Sequence, residues 1–119
     1  MWIMVAGPYS SNGADAAGRA ANLRVLNAAA LAVFRLGHVP VIGVNMALPM
    51  IEEAGQASYH AIMQPLSLAM AERCDGCLRI GGLSVGADEE VAHFRALGRP
   101  VWLTVEAVPR ATMKPADPA

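Results

Sequence analysis

Short apolar runs alternate along the chain with longer stretches in which apolar residues recur every three or four positions. Glycine or proline closes most of them. Residues 2–6 (Trp-Ile-Met-Val-Ala) form an apolar run stopped by Gly7-Pro8, the signature of a buried first strand. A polar loop follows over 9–13, and Asp15 is placed to cap a helix over 16–36. That helix carries Leu23, Leu26, Ala30 and Val33 on one face and stops at Gly37. Residues 38–43 predict a second strand, with Pro40 at its start or on a sheet edge. From 44 to 55 no period is evident, and the segment holds Pro49 and the acidic pair Glu52-Glu53. A long loop with one helical turn is expected there.

Residues 58–73 have a helical pattern, with Pro65 near the first turn or marking a kink. Residues 77–80 predict a third strand, which runs into the turn Gly81-Gly82-Leu83-Ser84-Val85-Gly86. The next helix, 87–97, places Ala87, Val91 and Phe94 on one face and ends at Gly98; 100–105 is the fourth strand. The reading is therefore one domain over 1–105, followed by an extended or frayed tail over 106–119. Strand–helix alternation implies an α/β sandwich of three layers, with a parallel sheet of four or five strands between helices. Ligands of such sheets bind at the carboxyl ends of the strands, which directs attention to the loops over 7–13 and 81–86.

Composition narrows the function classes. A chain of 119 residues, 55% hydrophobic and 16% charged, is a single globular domain and not a disordered one. A net charge of −1 gives no broad basic field, so nucleic acid is not an expected partner. The uncharged stretches 36–51 and 54–71 contain proline and polar residues, unlike the run of about 20 apolar residues that spans a bilayer. No membrane partner is expected. The first ten residues have no positively charged leader pattern, and the expected location is the cytoplasm.

Cys74-Asp75-Gly76-Cys77 is a C-x-x-C, but it joins a helix end to a strand, the reverse of the polarity that activates redox thiols. His38, His60 and His93 are scattered singly and do not complete a zinc set. Two packing cysteines are expected, with no metal. His38 reads as a structural turn residue, and His93 as a surface helix residue. Arg19 is placed either to reach a phosphate or to sit solvated on the helix surface.

The glycine-rich turn is neither a phosphate loop with Lys-Ser/Thr nor a dinucleotide fingerprint. Gly82, Ser84 and Gly86 match G-x-S-x-G between a strand and a helix, the setting of a nucleophile elbow. The only histidine after Ser84 is His93, one helix away, which weakens a hydrolase triad. A third reading uses Asp88, Glu89 and Glu90. Acids in a first helical turn complement the helix dipole, yet Glu90 falls beside Val91 and four residues before Phe94, at the core edge. It would then lie close to backbone N–H groups able to hold an anion.

Five segments taken together carry a resemblance. They are Ala6-Gly7-Pro8-Tyr9, Gly37-His38-Val39-Pro40, Cys74-Asp75, Ser84-Val85-Gly86-Ala87-Asp88-Glu89-Glu90-Val91 and Gly98-Arg99-Pro100-Val101. In order and spacing, over about residues 2–104, the chain resembles the nucleoside 2-deoxyribosyltransferase superfamily, and especially its short 2′-deoxynucleoside 5′-phosphate N-hydrolase-like branch. The resemblance implies a flavodoxin/Rossmann-like fold and cleavage or transfer at the N-glycosidic bond of a nucleoside or nucleotide, without a cofactor. It puts the glutamate nucleophile on Glu90, kept ionised by the helix N-terminus, and a 5′-phosphate contact on Ser84. Tyr9 would orient the nucleophile or the sugar. Gly7, Ser10, Asn12, Gly86 and Ala87 complete the expected substrate-binding set.

The chain departs from the family on the middle helix. There Gln64 or Pro65 stands near the position of the family's aspartate, and neither is an acid. Glu52, Glu53 and His60 are the alternatives for protonating the departing base. A non-catalytic nucleotide-binding module of the same fold is the second reading, and an interaction protein with a Met-rich face the third. Because relatives complete their sites across subunits, the expected assembly is a homodimer or a higher homo-oligomer.

Overall fold

The computed structural model describes residues 1–111; the last part of the expected tail, 112–119, lies outside them. Strand β1 (Trp2–Ala6) leads through a tight loop to helix α1 (Ala16–Arg35), and β2 (Val39–Val41) leads to α2 (Gly43–Ala54) and α3 (Tyr59–Ala71). Strand β3 (Gly76–Arg79), helix α4 (Val85–Ala96) and β4 (Val101–Trp102) complete the alternation. The four strands are all parallel, in the order β2-β1-β3-β4. The chain leaves β1 in one direction for β2 and returns on its other side for β3. That reversal, between β1 and β3, is the switch point at which open α/β sheets bind ligands.

Period-two alternation in β1 feeds two cores. Ile3 and Val5 pack with Leu78 against Leu26, Ala29 and Val33 of α1. Met4 and Ala6 face the other way with Cys77, against Ala71 of α3 and Ala87, Val91 and Phe94 of α4. Each fully buried Ile, Leu or Phe here contributes about 1.5–3 kcal/mol of transfer free energy. Helices on both faces make the three-layer, Rossmann-like sandwich.

Asp15 caps α1 as expected, its side chain accepting from the Gly18 N–H at 2.7 Å. The loop expected over 44–55 is instead the helix α2. Val44, Ala47, Leu48 and Ile51 recur at helical spacing and pack with Met63 and Leu66 of α3. Pro49 sits on the exposed side of α2, where the bond it cannot make falls toward water. The fourth strand is shorter than expected, because Leu103 and Thr104 leave the sheet.

The segment after Glu106 is not frayed as far as it is described. Val105–Ala107 forms one 3₁₀ turn, Val108 is buried in the α1-side core, and the Ala111 N–H donates to the Leu36 carbonyl at 2.8 Å. His38 anchors this return. It is buried, with Nδ1 3.0 Å from the Met1 amino group and Nε2 2.6 Å from the Pro109 carbonyl. Cys74 and Cys77 are free and buried, and burial pushes their thiols up to about 11 and about 12. Among the described residues, no helix is long and apolar enough to cross a membrane.

Candidate active site

The loops after β1 and β3, the start of α4 and one side of α3 enclose a cavity of about 620 Å³ at the switch point. Gly7, at the end of β1, has to be bare: a Cβ there would stand 2.7 Å from the Ile80 carbonyl oxygen. That close approach brings the two strand ends together. Asn12, in the left-handed conformation at φ 59°, donates a long bond of 3.5 Å to the Leu83 carbonyl and links the two loops.

All eight residues singled out in the sequence line this one cavity. Gly7, Tyr9, Ser10 and Asn12 come from the first loop; Ser84, Gly86, Ala87 and Glu90 come from the turn and α4. Tyr9 packs on the α2–α3 cluster, while its carbonyl accepts from Asn22 at 2.7 Å. Ser10 and Tyr59 join hydroxyls at 2.8 Å across the cavity mouth. Ser84 is the N-cap of α4, its Oγ accepting from the Ala87 N–H at 3.2 Å. His93 lies 3.6 Å from Glu72 and does not line the cavity, so the structure does not pair it with Ser84.

Glu90 lies in the second turn of α4, half-buried at the cavity wall. Burial pushes its carboxyl up to about 7; the Arg79 guanidinium pulls in the opposite direction, and Glu89 pushes it further up. The helix N-terminus is expected to favour the ionised form; burial acts against it and is the largest influence on this carboxyl. A carboxyl titrating near neutrality in a cleft is the kind of group that acid–base and nucleophilic chemistry uses.

Helix α3 supplies a wall that residue spacing did not reveal. Tyr59, His60, Met63, Gln64 and Ser67 line the cavity, whereas Glu52 and Glu53 do not. Of the three alternatives for protonating a leaving group, only His60 is in place. Gln64 donates from Nε2 to the Gly86 carbonyl at 3.1 Å, so it serves to hold the start of α4. Arg79 was also missed. Its Nη1 donates to the Ile80 carbonyl at 2.5 Å, and its Nη2 donates to Gly82 at 2.8 Å and to Asp88 at 3.3 Å. The signal for it was a basic residue at the end of a strand directly before a glycine-rich turn, whose open carbonyls need donors.

Fold and cleft together define a doubly wound α/β domain that carries an elevated carboxyl at its switch point. Comparison with protein-family models, with curated proteins and with solved structures finds no match.

Proposed function

We propose that this chain is an N-glycosidase, hydrolysing or transferring at the N-glycosidic bond of a nucleoside or nucleoside 5′-monophosphate, with Glu90 as nucleophile. The observation that carries the reading is the position of Glu90: a half-buried carboxyl with its pKa near 7, on a cavity at the switch point. The likeness of five sequence segments to the nucleoside 2-deoxyribosyltransferase superfamily supports it.

In this mechanism the Glu90 carboxylate bonds to C1′ of the sugar as the C1′–N bond breaks, and the departing base takes the bonding electron pair. The base needs a proton or strong hydrogen bonds, and His60 is the imidazole at hand. Water then cleaves the glycosyl ester, restoring Glu90 and releasing the free sugar; a second base in place of water gives transfer. No metal or cofactor enters these steps.

A second copy of the chain completes the cleft in this reading. Leu83 and Val85 on its rim are 79% and 77% exposed, and a homodimer covers them. Two free thiols fit a reducing compartment, and we place the chain in the cytoplasm.

The test is base release from a panel of nucleosides and 5′-monophosphates, read by chromatography. Release by the wild type, lost about 100-fold or more in Glu90→Gln, supports the assignment. Release that survives this substitution sinks it. Calorimetric binding without release would favour the non-catalytic module.

A further inference from the structure

We infer that the cleft selects an uncharged nucleoside over the corresponding 5′-monophosphate. The inference rests on the glycosidase reading and names its substrate class. Three carboxylates, Asp88, Glu89 and Glu90, line the cavity, and among the described residues no lysine or arginine does. His60 is the one cationic candidate in the lining. A dianionic phosphate entering this cleft meets the charge of Glu89 at the rim and that of the half-buried Glu90 at the wall, where repulsion is less screened than in open water. Asp88 is exposed and largely offset by Arg79.

The nearby cations of the same chain, Arg79 and Arg19, are already committed. Arg79 stands behind the turn with its side chain only 13% exposed, donating to two backbone carbonyls and to Asp88. Arg19, weighed from the sequence as a phosphate ligand, donates to the Ala14 carbonyl at 2.8 Å and does not line the cavity. The N-terminus of α4 is also partly taken. The Ser84 hydroxyl already accepts from the Ala87 N–H, the bond that a bound phosphate oxygen would seek. Asp88 in the first turn offsets the positive end of the helix dipole.

What remains suits hydroxyl groups. Ser10, Asn12, Tyr59 and Ser67 bring neutral donors and acceptors to the lining, beside the apolar Met63 and Val44. Sugar hydroxyls pair with the former and a base packs on the latter. Nothing in that set requires a negative charge on the ligand.

The experiment compares each 2′-deoxynucleoside with its 5′-monophosphate, by base release and by calorimetry, on the wild type and on Glu89→Lys. The expected result is a kcat/KM at least about tenfold higher for the nucleoside, with the ratio reduced several-fold by Glu89→Lys. Equal or better use of the monophosphate, still dependent on Glu90, overturns the selectivity and leaves the glycosidase reading standing. A ratio unmoved by Glu89→Lys removes its electrostatic basis. Tighter calorimetric binding of the nucleoside without any base release keeps the selectivity and overturns the glycosidase reading instead.

Discussion

Arg79 meets Asp88 at 3.3 Å through both Nε and Nη2, while the same guanidinium holds the carbonyls of Ile80 and Gly82. One side chain thus fastens the end of β3, the glycine-rich turn and the first turn of α4. The Asp88 end of the pair is 67% exposed, so the ion pair itself is worth little, about 0–1 kcal/mol. The bonds to the backbone carbonyls matter more, because the one to Ile80 is part-buried and both are charge-assisted. Glu90 follows Asp88 by two residues, so the position of the proposed nucleophile depends on this clamp.

Asp88→Asn is therefore expected to change stability by less than about 1 kcal/mol. Arg79→Met should cost more, about 1.5–3 kcal/mol, since it removes the charge-assisted bonds to the half-buried Ile80 carbonyl and the exposed Gly82 carbonyl. Urea denaturation of both variants distinguishes the two contributions. Equal losses would show that the ion pair, and not the carbonyl bonds, holds the turn.

Glu90 places a pH-dependent strain on the fold. Its folded pKa, about 7, lies above the ordinary 4.5, so the folded chain holds this proton more tightly than the unfolded chain does. Stability is then lost as pH rises from about 4.5 through about 7, with no contribution below that window. The shift from 4.5 to about 7 corresponds to about 3 kcal/mol at most, fully expressed above neutrality. Glu90→Gln should accordingly stabilise the protein at pH 8 and leave it nearly unchanged at pH 4. Thermal melts across this range check the sign; destabilisation at pH 8 would contradict it.

The same group sets the rate profile. A nucleophilic carboxylate must be ionised, so base release should climb as pH rises through about 7 and then level off. The positive charge of Arg79 favours the carboxylate, and Arg79→Met should move that rising limb to higher pH. A profile that falls over the same interval would assign Glu90 a proton-donating role instead.

Much of this was legible in local spacing, and the exceptions have physical reasons. β1, β3, α1 and the start of α4 depend on neighbours in sequence: Gly7-Pro8 ends one strand, Asp15 opens a helix, and Ser84 caps another. The eight residues that share the cavity sit in two loops whose proximity follows from parallel β1 and β3. Residues 44–55 read as a loop because no period stands out and the segment holds Pro49 and Glu52-Glu53; only packing on α3 picks out Val44, Ala47, Leu48 and Ile51 as one helix face. Packing on α3 overrides the proline. Tyr59, Gln64 and Ser67 could not be placed from spacing, since their role depends on how α3 lies across the sheet ends. Arg79 acts on backbone carbonyls, which leave no trace in a residue pattern.

The cysteine pair should be chemically quiet. Both thiols are buried with pKa values pushed up to about 11 and about 12, so at neutral pH almost no thiolate is present. Labelling by a thiol-exchange reagent at pH 7.5 should be negligible in the folded protein and complete within minutes in urea. Rapid native labelling of either cysteine would show that the C-x-x-C is open.

The α2–α3 junction offers a stricter test of how the cavity wall is set. Gly43 opens α2 so close to α3 that a Cβ would stand 2.0 Å from the Ser67 Oγ and 2.9 Å from the Ser67 Cβ. Both positions are buried, so the Ser67 hydroxyl has no route into water away from an added methyl. Gly43→Ala must push the helices apart, and such overpacking costs about 1–3 kcal/mol. Ser67 lines the cleft, so the displacement should weaken ligand binding as well. Removing the obstructing side chain should relieve the clash: in the Gly43→Ala, Ser67→Gly double variant the combined loss should be smaller than the sum of the single losses. Urea denaturation of the four proteins measures that coupling, and strictly additive losses would mean that the cost of Gly43→Ala arises elsewhere.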